Sequence, residues 1–215
     1  MRTLILASNS PRRNELLRLL GLPFEVVPAD IAEVPLPGEP PLFYVLRLAR
    51  HKAAAIAADQ PGLVIAGDTT VVDGEELLEK PTDPTDARRM LQQLRGRVHQ
   101  VYTGIAILDA ETKHSYDAVC CTPVPMREYS DAEIDAYTAT GDPLDKAGAY
   151  GIQHAGFHPV EGLRGCFASV MGLPLCHLLV GLRNFDLEIP GGLPDRCQAY
   201  LDYDCPAYQA ILAGY

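Results

Sequence analysis

The chain has 215 residues, 47% of them hydrophobic, and a formal net charge of −10. Length and composition fit one globular domain with a sizeable core. The acidic balance disfavours a nucleic-acid polymer as partner. No apolar run reaches the ~18 residues of a membrane span, and the first residues turn polar too soon for a signal peptide. A cytoplasmic protein is therefore expected. Six cysteines at 120, 121, 166, 176, 197 and 205 form no CxxC pair. They read as free, mostly buried thiols, with Cys197 and Cys205 as the pair that oxidation could join.

In chain order, Leu4–Ala7 reads as a buried strand. Ser10 is a helix cap, Pro11 suits the first turn, and Gly21 ends that helix. Phe24–Val27 is a second short strand. Residues 28–41 hold five prolines and read as a loop. Residues 42–58, rich in Leu and Ala, predict a long helix. A strand over 63–66 is expected to end at Gly67-Asp68-Thr69-Thr70. Asp73-Gly74 signals a tight hairpin.

Asp83-Pro84 opens a helix that Gly96 closes. Residues 97–108 and 114–126 predict two long antiparallel strands, which points to a mixed sheet rather than a parallel one. Ser130 and Glu133 form a capping box for a helix ending near Gly141. Residues 141–163 are glycine-rich and loop-like, and a strand at 166–171 and a helix at 174–185 follow. The expected organisation is one domain over residues 1–186. Residues 187–215 read as an appended C-terminal extension, dispensable for chemistry.

Several segments carry chemical potential. Ser8-Asn9-Ser10-Pro11-Arg12-Arg13 follows a strand and opens a helix, where free N–H groups and the helix dipole attract anions. Two arginines in a first turn oppose that dipole. They make sense if a phosphate sits there, since guanidinium groups clamp phosphate oxygens bidentately; the alternative is a solvated helix start. Asp68 at a buried strand end is costly unless a metal or an attacking water meets it; the alternative is an ordinary strand-end turn. Lys80, in Glu79-Lys80-Pro81, can serve as a point charge for phosphate, or be merely solvated.

Lys52 shares part of the apolar face of its helix, so it either snorkels or points into a cleft. Glu33 in the proline-rich loop is a candidate metal ligand. Within Gly141–Gln153, three glycines permit close backbone approach, and Gln153 offers both a donor and an acceptor to a base edge. Asp145 and Lys146 can pair with each other. His154 and His158 are spaced like metal ligands, but Gly156 and Pro159 break the helix they would need, which disfavours zinc. The chain has no GxGxxG after its first strand, no GxxxxGK[ST] and no GxSxG. These absences disfavour dinucleotide-binding, P-loop and serine-hydrolase readings.

Taken in order, Leu6–Arg13 with Glu15-Leu16-Leu17, Leu48–Ala53, Gly67-Asp68-Thr69, Glu79-Lys80-Pro81, Val98–Gly104, Asp145–Gln153 and Gly172–Leu175 resemble the Maf family of nucleoside triphosphate pyrophosphatases. The resemblance spans about residues 3–185. It implies a Maf/Ham1-like α/β fold, with a long curved mixed β-sheet, flanking helices and two lobes around a cleft. It implies Asp68 as proton acceptor and a divalent metal, Mg²⁺ or alternatively Mn²⁺, with Glu33 and Asp68 as the metal residues. Ser8, Arg12, Arg13, Lys52 and Lys80 match positions that hold the triphosphate.

Arg12, Thr69 and Gln153 match positions tied to base choice, and the Gly-Ile-Gln form resembles the branch acting on dTTP and UTP. A homodimer is implied by the resemblance alone. The competing reading is a nucleotide-binding regulator of cell division that uses the same pocket without turnover. The presence of both Asp68 and Lys80 favours the enzyme, because a pure binder needs no acid–base group.

Overall fold

The computed structural model describes residues 2–214. A six-stranded mixed sheet forms the centre. Its strands are β1 (Leu4–Leu6), β2 (Glu25–Val26), β3 (Leu63–Asp73), β4 (Glu76–Leu78), β5 (Val98–Asp109) and β6 (Ser115–Pro125). The order is β2-β1-β3-β5-β6, with β4 also pairing β3. β1 runs parallel to β2 and β3, and the other pairs are antiparallel. The two long strands expected from the sequence are β5 and β6. The β3–β4 hairpin turns at Gly74, whose φ of +63° suits glycine.

Side chains alternate across the sheet and divide the core into layers. Leu4, Leu6, Leu63 and Ile65 face one side. There they meet Leu16 and Leu17 of α1 (Pro11–Arg18), Leu91 of α3 (Pro84–Leu94), Ile134 of α4 (Asp131–Thr138) and Leu178 of α6 (Leu175–Leu182). Ile5, Val64 and Ala66 face the other side and meet Ala49, Ala53 and Ile56 of α2 (Pro41–Asp59). Small residues let α2 lie close to the sheet. At Gly104 of β5 a Cβ would stand 2.7 Å from the Val45 carbonyl, so only a bare backbone fits beneath the helix.

The expected caps are present. The Ser10 side chain accepts from the Arg13 N–H, the Asp83 side chain from the Asp86 N–H, and Ser130 and Glu133 form the complete capping box. Glycines with positive φ follow α1, α3 and α4 at Gly21, Gly96 and Gly141.

Two expectations are corrected. β3 does not end before Gly67. It pairs with β5 from Leu63↔Asp109 to Val72↔Gln100, so Asp68 lies mid-strand opposite Gly104. The segment at 166–171 is not a strand but a short helix, α5 (Phe167–Val170). The Cys166 side chain caps it by accepting from the Ser169 N–H, and Gly172 at φ +108° turns the chain away. A short apolar run fits either state, and here the local cap decides.

The extension is also more ordered than its composition suggested. It forms α7 (Leu193–Leu201) and α8 (Tyr208–Leu212), and Leu193 and Cys197 are buried against the body. Tyr215, its last residue, lies outside the described residues. Among the described residues, no helix is long and apolar enough to cross a membrane.

Candidate active site

The site sits where β3 outruns its neighbours. β1 pairs with β3 only as far as Ile65, beyond which the Ala7 N–H still reaches the Ile65 carbonyl. β4 joins β3 only from Val71. Between them, Ala66–Thr70 is paired to β5 alone, and the other edge opens into a cavity of about 390 Å³. Strand alternation sends Asp68 towards α2 and Thr69 towards α1 and α5.

Asp68 is buried, and its Oδ1 accepts from Lys52 Nζ at 2.6 Å. Burial pushes the Asp68 carboxyl above its ordinary value of 3.8, while the charges of Lys52 and Arg13 oppose that rise. Lys52 Nζ also lies 2.5 Å from the Glu33 carboxylate, supplied by the proline-rich loop. For Glu33, partial burial acts upward, but the hydrogen bond and charge of Lys52, with Lys80 and Arg13, bring the net value below 4.5. The helix α2 carries Lys52 on its buried face, so the lysine points inward rather than snorkelling to solvent.

Arg13 is held on three sides. Its Nε donates to the Gly172 carbonyl at 2.8 Å, and its terminal nitrogens donate to Ser8 Oγ at 3.2 Å and Thr69 Oγ1 at 3.1 Å. Thr103 Oγ1 donates to the Ser169 carbonyl at 2.8 Å, so its single proton is committed. The Thr69 hydroxyl, 3.0 Å away, is therefore the donor to Thr103. A directed chain thus runs from Arg13 through Thr69 and Thr103 to α5.

Arg12 reaches Asp145 at 3.3 Å. Lys146 is buried and bonds Asp142 Oδ1 at 2.8 Å and Asp145 Oδ1 at 2.6 Å. The expected Asp145–Lys146 pairing is present. Lys80 is exposed on the cavity and has no ion-pair partner among the described residues.

Ser8, Arg12, Arg13, Glu33, Lys52, Asp68, Thr69, Lys80 and Gln153 all line this one cavity. Gln153 is exposed at its rim. Three contributors had no assigned role from sequence. Glu79 lines the cavity and accepts from Thr70 Oγ1 at 2.7 Å, and its burial raises its carboxyl above 4.5. Thr103 and the Gly172 carbonyl anchor Arg13 as described. Glu79, Thr103 and Gly172 all stand in the ordered motifs, but their roles arise from contacts across the fold.

Glu33 and Asp68 supply hard oxygen donors that already converge on one cation, the Lys52 ammonium. Such carboxylates fit Mg²⁺, which commonly takes one or two of them and completes its shell with substrate phosphates and water. Among the described residues, no cluster of three or more His, Cys, Asp or Glu is arranged as a metal site.

Comparison with known proteins gives the family. The family model described as Maf-like protein matches residues 3–185. A dTTP/UTP pyrophosphatase from Anaeromyxobacter dehalogenans (strain 2CP-1) is 50% identical over 193 residues, covering 89% of this chain and 98% of its own length. One from Geobacter sp. (strain M21) is 48% identical over 182 residues, covering 84% and 94%. Among solved structures, a nucleoside-triphosphatase (dITP/XTP pyrophosphatase) from Mycobacterium abscessus is 16% identical, with a TM-score of 0.41, over 80% of this chain and 88% of its own. With a family match across residues 3–185 and relatives near half identity, this chain belongs to the Maf family.

Proposed function

We propose that this protein hydrolyses dTTP and UTP to the nucleoside monophosphate and pyrophosphate, with Asp68 as the proton acceptor. The observation that carries this reading is the buried Asp68–Lys52 pair in a cavity that Arg12, Arg13 and Lys80 also line. A carboxylate whose proton affinity is raised by burial and opposed by a neighbouring ammonium is suited to take a proton from water. That water attacks the α-phosphorus in line, and pyrophosphate leaves. Arg13, fixed by three acceptors, Lys52 and Lys80 offset the charge that grows on the leaving group.

Arg12 and Lys52 are paired with carboxylates in this structure, so a triphosphate exchanges one set of anionic oxygens for another. Glu33 and Asp68 are the residues that would hold Mg²⁺ or Mn²⁺, which would supply Lewis-acid charge to phosphate oxygens. Gln153 at the rim, with Arg12 and Thr69, reads the base. In uracil and thymine, O4, N3–H and O2 present acceptor, donor and acceptor, and an amide can meet two neighbours of that edge. The two named relatives are dTTP/UTP pyrophosphatases, which supports the same substrates here. We place the reaction in the cytoplasm, where a reducing environment maintains the six free thiols. The family reading also makes the active species a homodimer, which sedimentation at micromolar concentration checks.

The test is a panel of nucleoside triphosphates with Mg²⁺, scored for pyrophosphate, with chelation by EDTA as the metal control. dTTP and UTP are expected to be the best substrates, with activity lost on chelation. Hydrolysis in ¹⁸O-water is expected to label the monophosphate. Label in pyrophosphate, or orthophosphate with a diphosphate, defeats the mechanism.

A further inference from the structure

The extension lies outside residues 3–185, which the family model matches, yet it is anchored beside the site. Arg196 Nε donates to the Leu19 carbonyl at 2.8 Å. The Tyr200 hydroxyl donates to the Glu15 carboxylate at 3.0 Å. The Tyr203 hydroxyl lies 2.9 Å from the Gly165 carbonyl and 3.1 Å from that of Leu163. One of these anchors grips the C-cap of α1 at Leu19 and another grips α1 itself at Glu15, and the first turn of that helix carries Arg12 and Arg13. The third grips the loop that leads into α5, where the Arg13 hydrogen-bond chain ends.

Beside the anchors runs a groove of about 720 Å³, whose lining includes Ile152, Gln153 and Met171 together with Tyr200 and Tyr203. Ile152, Gln153 and Met171 also line the phosphate cavity. The two spaces therefore meet at the residue that faces the base end of a nucleotide. The Tyr203 ring is already packed against Phe167, 5.6 Å between centroids. Tyr200 as a residue is 47% exposed although its hydroxyl is tied down. An aromatic face held in place yet uncovered is a ready stacking surface for a base.

We propose that the C-terminal extension is the outer wall of the nucleobase site, with the Tyr200 ring as its stacking face for the pyrimidine. This rests on the reading of Gln153 as the base contact. It leaves bond cleavage to the body and gives the extension a share in substrate affinity.

The test uses the full chain. Tyr200→Ala is expected to raise KM for UTP and dTTP about tenfold and to leave kcat within about twofold. Tyr200→Phe keeps the ring and is expected to hold KM within about threefold of the unaltered protein. Inhibition by inorganic tripolyphosphate, which has no base, is expected to be the same in all three. An unchanged KM for UTP in Tyr200→Ala overturns the proposal. So does a matching loss of tripolyphosphate inhibition, which would mean damage to α1 rather than loss of a base contact. Failure of the underlying base reading shows differently: Gln153→Ala would leave the UTP/CTP ratio unchanged, and the proposal would fall with it.

Discussion

Lys52 on α2 and Asp68 on β3 form a buried ion pair of 2.6 Å, and Lys52 shares its charge with Glu33 across the cavity. Burial pushes the Asp68 carboxyl upward, and the Lys52 charge opposes that rise. Asp68→Asn preserves shape and a hydrogen-bond acceptor but removes the base. Turnover is expected to fall by roughly 10²–10⁴, with nucleotide still bound in equilibrium dialysis. Turnover within threefold of the unaltered protein would remove Asp68 from its role.

Arg13 meets its three acceptors with three separate nitrogens of a planar fork, a span wider than the single nitrogen of an ammonium can cover. Arg13→Ala is expected to lower kcat/KM by roughly 10²–10³. Arg13→Lys, although it keeps the charge, is expected to recover little of that loss. Full recovery by lysine would mean that charge alone matters and that the fork does not.

The base contact has its own signature. Gln153 alone cannot exclude cytosine, because an amide can rotate to match a donor at N4. Discrimination therefore needs neighbours that fix the amide, and a mismatched buried edge then leaves polar groups unpaired. CTP is expected to be clearly poorer than UTP and dTTP, with ATP and GTP poorest. Gln153→Ala is expected to narrow the UTP/CTP gap more than it slows UTP. Competition assays with mixed substrates measure the ratio directly, and a preference for CTP by the unaltered protein would contradict the reading.

His99 of β5 is buried, with Nε2 2.7 Å from the Tyr150 hydroxyl, and burial lowers its pKa from 6.5 to about 4. Between those values the unfolded chain binds a proton that the folded one does not. Stability is therefore fully present above about pH 6.5 and is lost as pH falls towards about 4. The linkage amounts to something on the order of 3 kcal/mol across the window. His99→Gln is expected to lose less stability than the unaltered chain between pH 7 and pH 4.5, measured by urea midpoints. Equal losses would exclude His99 as the titrating group.

Much of this architecture was legible because local signals agreed with the tertiary packing. Ser10, Asp83 and Ser130 cap helices where the sequence placed caps, and Asp73-Gly74 turns the hairpin. The nine residues singled out for the site lie on one cavity. The placement of Asp68 was less readable. The run Leu63–Ala66 is apolar and Gly67 looks like a stop, yet β5 continues the ladder past it. Strand length here is set by a partner some forty residues away, which local composition does not report. α5 was hidden for a related reason: a four-residue apolar helix has no period to read, and only the Cys166 cap distinguishes it. The anchors of the extension join Tyr200 to Glu15 and Tyr203 to Gly165, pairings that no spacing rule foresees.

The missing side chain at Gly104 works as a gauge block under α2. Gly104 is the cross-strand partner of Asp68, and the backbone it bares lies against Val45. Lys52 follows Val45 by two helical turns, about 10 Å along the same face. The clearance at that single point thus sets how far the ammonium stands above the carboxylate. Gly104→Ala would wedge the helix outward and lengthen the Lys52–Asp68 contact without altering either residue. The expected result is a folded protein with turnover reduced by about tenfold or more and the Arg13 contacts intact. Retained activity would show that α2 tilts rather than lifts, leaving its far end at the original height.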